Sequence, residues 1–78
     1  MVKKKLTLII TFATTTQAMA MEKFCAQNAL PGRLIPVPRE ITAGCGLSWK
    51  AQPEDKEQLI SALTAAGMKW AECHILEV

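Results

Sequence analysis

No Cys-x-x-Cys pair occurs in the 78 residues, although there are three cysteines, at positions 25, 45 and 73. An odd number at such wide spacings excludes the disulfide framework of a small secreted domain, and free thiols in a reducing compartment are the simpler account. Zinc would have to be assembled from Cys25, Cys45, Cys73 and His74. As neighbours on a strand, Cys73 and His74 point to opposite faces, so no metal site and no cofactor is expected. An excess of one charge is also missing. Nine Lys and Arg against seven Asp and Glu leave +2, and three of the nine are Lys3, Lys4 and Lys5. Binding to nucleic acid is not indicated, and Trp49 alone is too little for the aromatic pairs of an RNA-binding sheet. No apolar run is long enough to cross a membrane as a helix. Low-complexity tracts are absent.

Half of the residues are hydrophobic. The length suits one domain over residues 1–78, with a stability margin so thin that nearly every apolar element must join one core. The first twenty residues read in two ways. A lysine cluster, the apolar run from Leu6 to Ala13 and Ala18-Met19-Ala20 match an export signal, which would place the protein outside the cytoplasm. The favoured reading is a buried strand followed by a helix, in a cytoplasmic protein. Thr14 and Gln17 fit a capping box, and the helix it opens carries Ala18, Met21, Cys25 and Ala29 on one stripe, straight through the cleavage site.

The pattern predicts a strand over 5–12 with apolar residues on both faces, a first helix over 15–29, and a second strand over 33–37. Pro36 and Pro38 confine that second strand to a sheet edge. A third strand over 47–51 turns Leu47, Trp49 and Ala51 inward against Ser48 and Lys50 outward. The second helix is opened by Pro53, complemented by Glu54 and Asp55, striped by Leu59, Ile60, Leu63 and Ala66, and closed by Gly67. A last strand spans 70–78. Strand–helix–strand–strand–helix–strand is the order of a ferredoxin-like α+β sandwich, with two helices on one face of an antiparallel sheet in the order fourth, first, third, second.

That topology brings the Gly44-Cys45-Gly46 connection to the end of the sheet where the first helix starts, near Thr14 and Thr15. Unpaired backbone donors, a positive helix end and Arg39 then favour a Cys45 thiolate, the reactive form. Cys25 on the helix stripe and Cys73 in a strand lack that setting. The alternative for Gly-Cys-Gly is plain turn chemistry.

"LPGRLIPVPREITAGCGLSWKA", with "LIITFATTTQAMAMEKFC" before it and "PEDKEQLISALTAAGMKW" after it, resembles the small bacterial family of selenium/sulfur carrier-like proteins from about Leu6 to Trp70. The most specific part is Pro31-Gly32-Arg33, then Ile35 to Glu40, then Cys45-Gly46. The lysine-rich Met1–Lys5 departs from the family pattern by its length and keeps the export alternative open. The resemblance implies that Cys45-Gly46 is a carrier site. Cys45 would accept sulfur or selenium from a donor such as a cysteine desulfurase, hold it as a persulfide, and pass it to an acceptor protein. A carrier rather than a turnover enzyme fits a chain with no His or Asp arranged as a catalytic partner. The alternative is a small regulatory or anion-binding module using Arg33, Arg39 and the glycine loop, with Cys45 incidental.

Overall fold

The computed structural model describes residues 5–38, 41 and 46–77. Strand β1 spans Leu6–Thr11, helix α1 Thr15–Gln27, β2 Arg33–Pro36, β3 Leu47–Ala51, α2 Lys56–Ala65 and β4 Cys73–Glu77, with a single 3-10 turn at Pro53–Asp55 leading into α2. The four strands form one antiparallel sheet in the order β2-β3-β1-β4. Two helices and a four-stranded open sheet make an α+β two-layer sandwich, as the pattern predicts.

Strand β1 lies in the middle because it is apolar on both sides. Leu8, Ile10 and Phe12 meet Ala18, Met21 and Cys25 of α1, Leu59 and Leu63 of α2, and Trp49 and Ala51 of β3 in a single core. On the other face Thr7, Ile9 and Thr11 are buried as well, with Ile9 between Lys50 and His74 in the neighbouring strands. Leu6, on the same face of β1 as Leu8 and Ile10, is 60% exposed because it stands at the open end of the sheet.

The capping box is shifted by one position. Gln17 N–H donates to Thr14 Oγ1 at 3.2 Å, but the Gln17 side chain accepts from Ala13 N–H at 3.0 Å, not from Thr14 itself. Helix α1 runs through Ala18-Met19-Ala20 and ends at Gln27, two residues before the expected stop. Ala29 adopts φ +52 and Leu30 N–H closes back on Cys25 C=O at 2.9 Å, a Schellman ending that carries Ala29 off the buried stripe. The same motif ends α2, with Gly67 at φ +69, Met68 N–H on Leu63 C=O and Gly67 N–H on Thr64 C=O. Ala66 is exposed, outside the stripe expected for it.

Strand β4 begins three residues later than its apolar pattern suggests, at Cys73. The cause is Thr11, whose N–H donates to Glu72 C=O while its own C=O accepts from Ala71 N–H, both at 2.8 Å. Glu72 N–H goes to Thr11 Oγ1 at 3.1 Å. Two residues face one, so regular pairing starts only at Ile10 and Cys73.

Candidate functional site

Thr11 is paired with Ser48 and Pro36 with Leu47, so the chain leaves β1 and β2 and enters β3 at one end of the sheet. Gly46, Thr14 and Thr15 are therefore brought to the same end. Val37 N–H donates to Gly46 C=O at 2.9 Å and closes the base of the connection between β2 and β3. Within it, Ile41 is buried and its N–H turns back on Pro38 C=O at 3.0 Å. Gly46 is exposed with φ +75, and a Cβ there would meet nothing within 4 Å, so glycine is required by the backbone angle and not by space. Arg39, Gly44 and Cys45, the other residues of the expected site, lie outside the described residues.

Thr14 is the N-cap of α1 and Thr15 opens its first turn in the open. The first N–H groups of a helix have no acceptor within it, and at α1 they stand at the end of the sheet that carries Gly46. Arg33 does not join them. It is opposite Lys50, four residues along from Gly46 or roughly 13 Å at strand rise, at the far end of the sheet. An anion site combining Arg33 with the glycine connection is split by this geometry.

The other two thiols are built into the fold. Cys25 is 2% exposed and packs its Sγ 3.9 Å from Met21 Sδ, and burial pushes its pKa up to about 11. Cys73 is half-buried against the core, and desolvation raises its pKa too, opposed by the Lys56 charge and a hydrogen bond from the Trp70 side chain. His74 stands on the opposite face of β4, in register with Ile9, with Nε2 3.2 Å from Glu72 Oε1. Cys73, in register with Ile10, faces the core.

Sequence reasoning missed what fixes Pro31-Gly32-Arg33. Trp49 Nε1 donates to Pro31 C=O at 3.0 Å, and Gly32, at φ +108, packs so closely that an added Cβ would overlap the Trp49 indole and lie 2.5 Å from Lys50 C=O. A glycine directly before an edge strand, with a tryptophan on the next strand, was the available signal. Arg33 is thereby set beside Lys50 at a cleft that Lys5 also lines.

Among the described residues no helix is long and apolar enough to cross a membrane, and no group of three or more His, Cys, Asp or Glu is placed to hold a metal ion. Among curated proteins and among solved structures, no significant match to the chain was found. Residues 7–75 match the family described as "Putative Se/S carrier protein-like", from the start of β1 into β4. A match over nearly the whole chain, through every element of the sandwich, makes this protein a member of that selenium/sulfur carrier protein-like family.

Proposed function

We propose that this protein carries sulfur or selenium between a donor and an acceptor protein in the cytoplasm, with the Cys45 thiol as the carrying group. Membership of the carrier family is the observation that carries this reading. The state of the other thiols supports it. Cys25 and Cys73 are both held against the core with raised pKa values, and the thiolate is the nucleophile, so neither suits the task near neutral pH. Gly46, next to Cys45, is exposed at the end of the sheet where α1 starts.

In the transfer, the Cys45 thiolate attacks the terminal sulfur of a persulfide on a donor such as a cysteine desulfurase. A new sulfur–sulfur bond forms at Cys45, the donor's sulfur–sulfur bond breaks, and the donor cysteine leaves as a thiolate. No outside oxidant is consumed. Delivery repeats the exchange with an acceptor thiolate, and a selenopersulfide follows the same balance. Arg39, Gly44, Gly46 and the first turn of α1 at Thr14 and Thr15 would stabilise the anionic sulfur through charge and backbone N–H groups.

The test is intact-mass analysis after incubation with a cysteine desulfurase and free cysteine, without reductant. The expected product gains one sulfur atom, removable by dithiothreitol, and Cys45→Ser gains none. Loading that persists in Cys45→Ser, or a Cys45→Ser chain that no longer folds, refutes the assignment.

A further inference from the structure

A cleft of about 850 Å³ opens at the end of the sheet away from Gly46. Its volume is in the range of small-molecule sites. Lys5, just before β1, Arg33, the first residue of β2, and Lys50, near the end of β3, all line it. Arg33 and Lys50 are directly opposite in the antiparallel register. Like charges in that relation oppose strand pairing. Among the described residues neither has a carboxylate within ion-pair distance, the one ion pair being His74 with Glu72. Arg33 is held there by packing, through Gly32 against the Trp49 indole and Pro31 C=O on Trp49 Nε1, so the two cations are kept together despite their repulsion.

Pro53, Glu54 and Asp55, from the turn that follows β3, line the same cleft. Asp55 Oδ2 accepts from Gln52 N–H at 3.3 Å and is tied to the turn, whereas Glu54 is exposed. The lining therefore draws cations from the strands, Arg33 and Lys50, and carboxylates from the turn, Glu54 and Asp55. We propose that this cleft, between Arg33 and Lys50 with Lys5 at its rim, binds a soluble small molecule carrying a diphosphate or similar polyanionic group. Guanidinium and ammonium donors suit phosphate oxygens, and a bound polyanion relieves the Arg33–Lys50 repulsion. The volume of about 850 Å³ suits a small molecule.

The experiment is a titration of the full ¹⁵N-labelled chain with sodium pyrophosphate at constant ionic strength. Saturable shifts are expected at the Arg33, Lys50 and Gln52 amides. Arg33→Gln and Lys50→Gln should each weaken binding by about tenfold, a loss of about 1.4 kcal/mol. Neither variant should lower the melting temperature without ligand, because each removes a repulsion. Glu54→Gln should tighten binding about two- to threefold by removing a repelling carboxylate, and Lys69→Gln, at the other end of the sheet, should leave it unchanged. Cys45→Ser should bind pyrophosphate like the parent chain, so this site and the carrier thiol stand or fall separately. The proposal is overturned by shifts that do not saturate, by equal shifts around Lys23 and Lys69, or by weaker binding in Glu54→Gln. Binding of an octaglutamate peptide where pyrophosphate does not bind would overturn it as well.

Discussion

Gly32→Ala tests whether the start of β2 is held as described. Two effects add at this position. The backbone has φ +108, which an L-residue adopts only with strain of about 1–3 kcal/mol. The new Cβ would also overlap the Trp49 indole nitrogen, lie 2.5 Å from Lys50 C=O and 2.9 Å from Trp49 Cε2. The backbone oxygen cannot swing aside, and overpacking of this kind costs about 1–3 kcal/mol. Moving Pro31-Gly32 away to relieve it would stretch the 3.0 Å bond from Trp49 Nε1 to Pro31 C=O. A total of about 2–6 kcal/mol is expected, against about 4–12 kcal/mol for the stability of a 78-residue domain. Urea unfolding followed by tryptophan fluorescence measures it, with Gly67→Ala as the reference. Gly67 shares a positive φ but has nothing within 4 Å of an added Cβ, so its substitution carries a backbone cost alone, about 1–2 kcal/mol. If Gly32→Ala costs no more than Gly67→Ala, the Trp49 contact does not hold the strand and this account is wrong.

Leu63→Ala should destabilise by about 2–5 kcal/mol, since the side chain is 1% exposed and reaches the centre of the core from α2; chemical denaturation reads it. Ala29→Gly should stabilise by about 0.5–1 kcal/mol, because exposed Ala29 sits at φ +52, and a lowered midpoint in the same assay would count against the Schellman ending of α1. Cys25 makes stability fall at high pH. Its thiol stays protonated in the fold to about pH 11 while the unfolded chain ionises from about pH 9, so its contribution is complete below pH 9 and lost as pH rises through 11. Melting temperatures measured from pH 8 to 11 should drop less steeply in Cys25→Ala than in the parent chain.

The elements were legible where one residue type had one physical reason to be there. Alternation on both faces marked β1 as central, Pro36 marked β2 as an edge, and Pro53 and Gly67 bracketed the second helix, all of which the sheet order and caps bear out. Ends set by long-range contacts were not legible. The start of β4 depends on Thr11 meeting Glu72, 61 residues away, and no local pattern contains that. The end of α1 at Gln27 depends on Ala29 entering a left-handed conformation that alanine seldom adopts. For the site, the strand order alone puts Gly46 with Thr14 and Thr15, whereas Lys5, Arg33 and Lys50 are too far apart in sequence to be read as one cationic wall. Ser48 was expected to point outward to solvent. It is fully buried on that face, and its Oγ has no hydrogen-bond partner among the described residues.

Which of three thiols can hold an extra sulfur atom is a question of space and charge. At Cys25 the added atom would enter a core in which Sγ is already 3.9 Å from Met21 Sδ and the residue is 2% exposed. Close-packed interiors have no void for it, and the resulting anion would be desolvated where burial already pushes the thiol to about 11. Cys73 is intermediate. It is half-buried and desolvated, but Lys56 and the Trp70 hydrogen bond act the other way on its pKa. Reactivity should therefore rise from Cys25 to Cys73, with Cys45, in the connection closed by Val37 and Gly46, first of the three. A time course of iodoacetamide labelling near neutral pH, read peptide by peptide, measures the order. Cys25 should label only at the rate of global unfolding, so adding urea below the midpoint should accelerate it far more than Cys45. Labelling of Cys25 as fast as Cys45 in the folded chain would mean that burial does not separate the thiols, and the case for Cys45 by its contrast with the other two would fall.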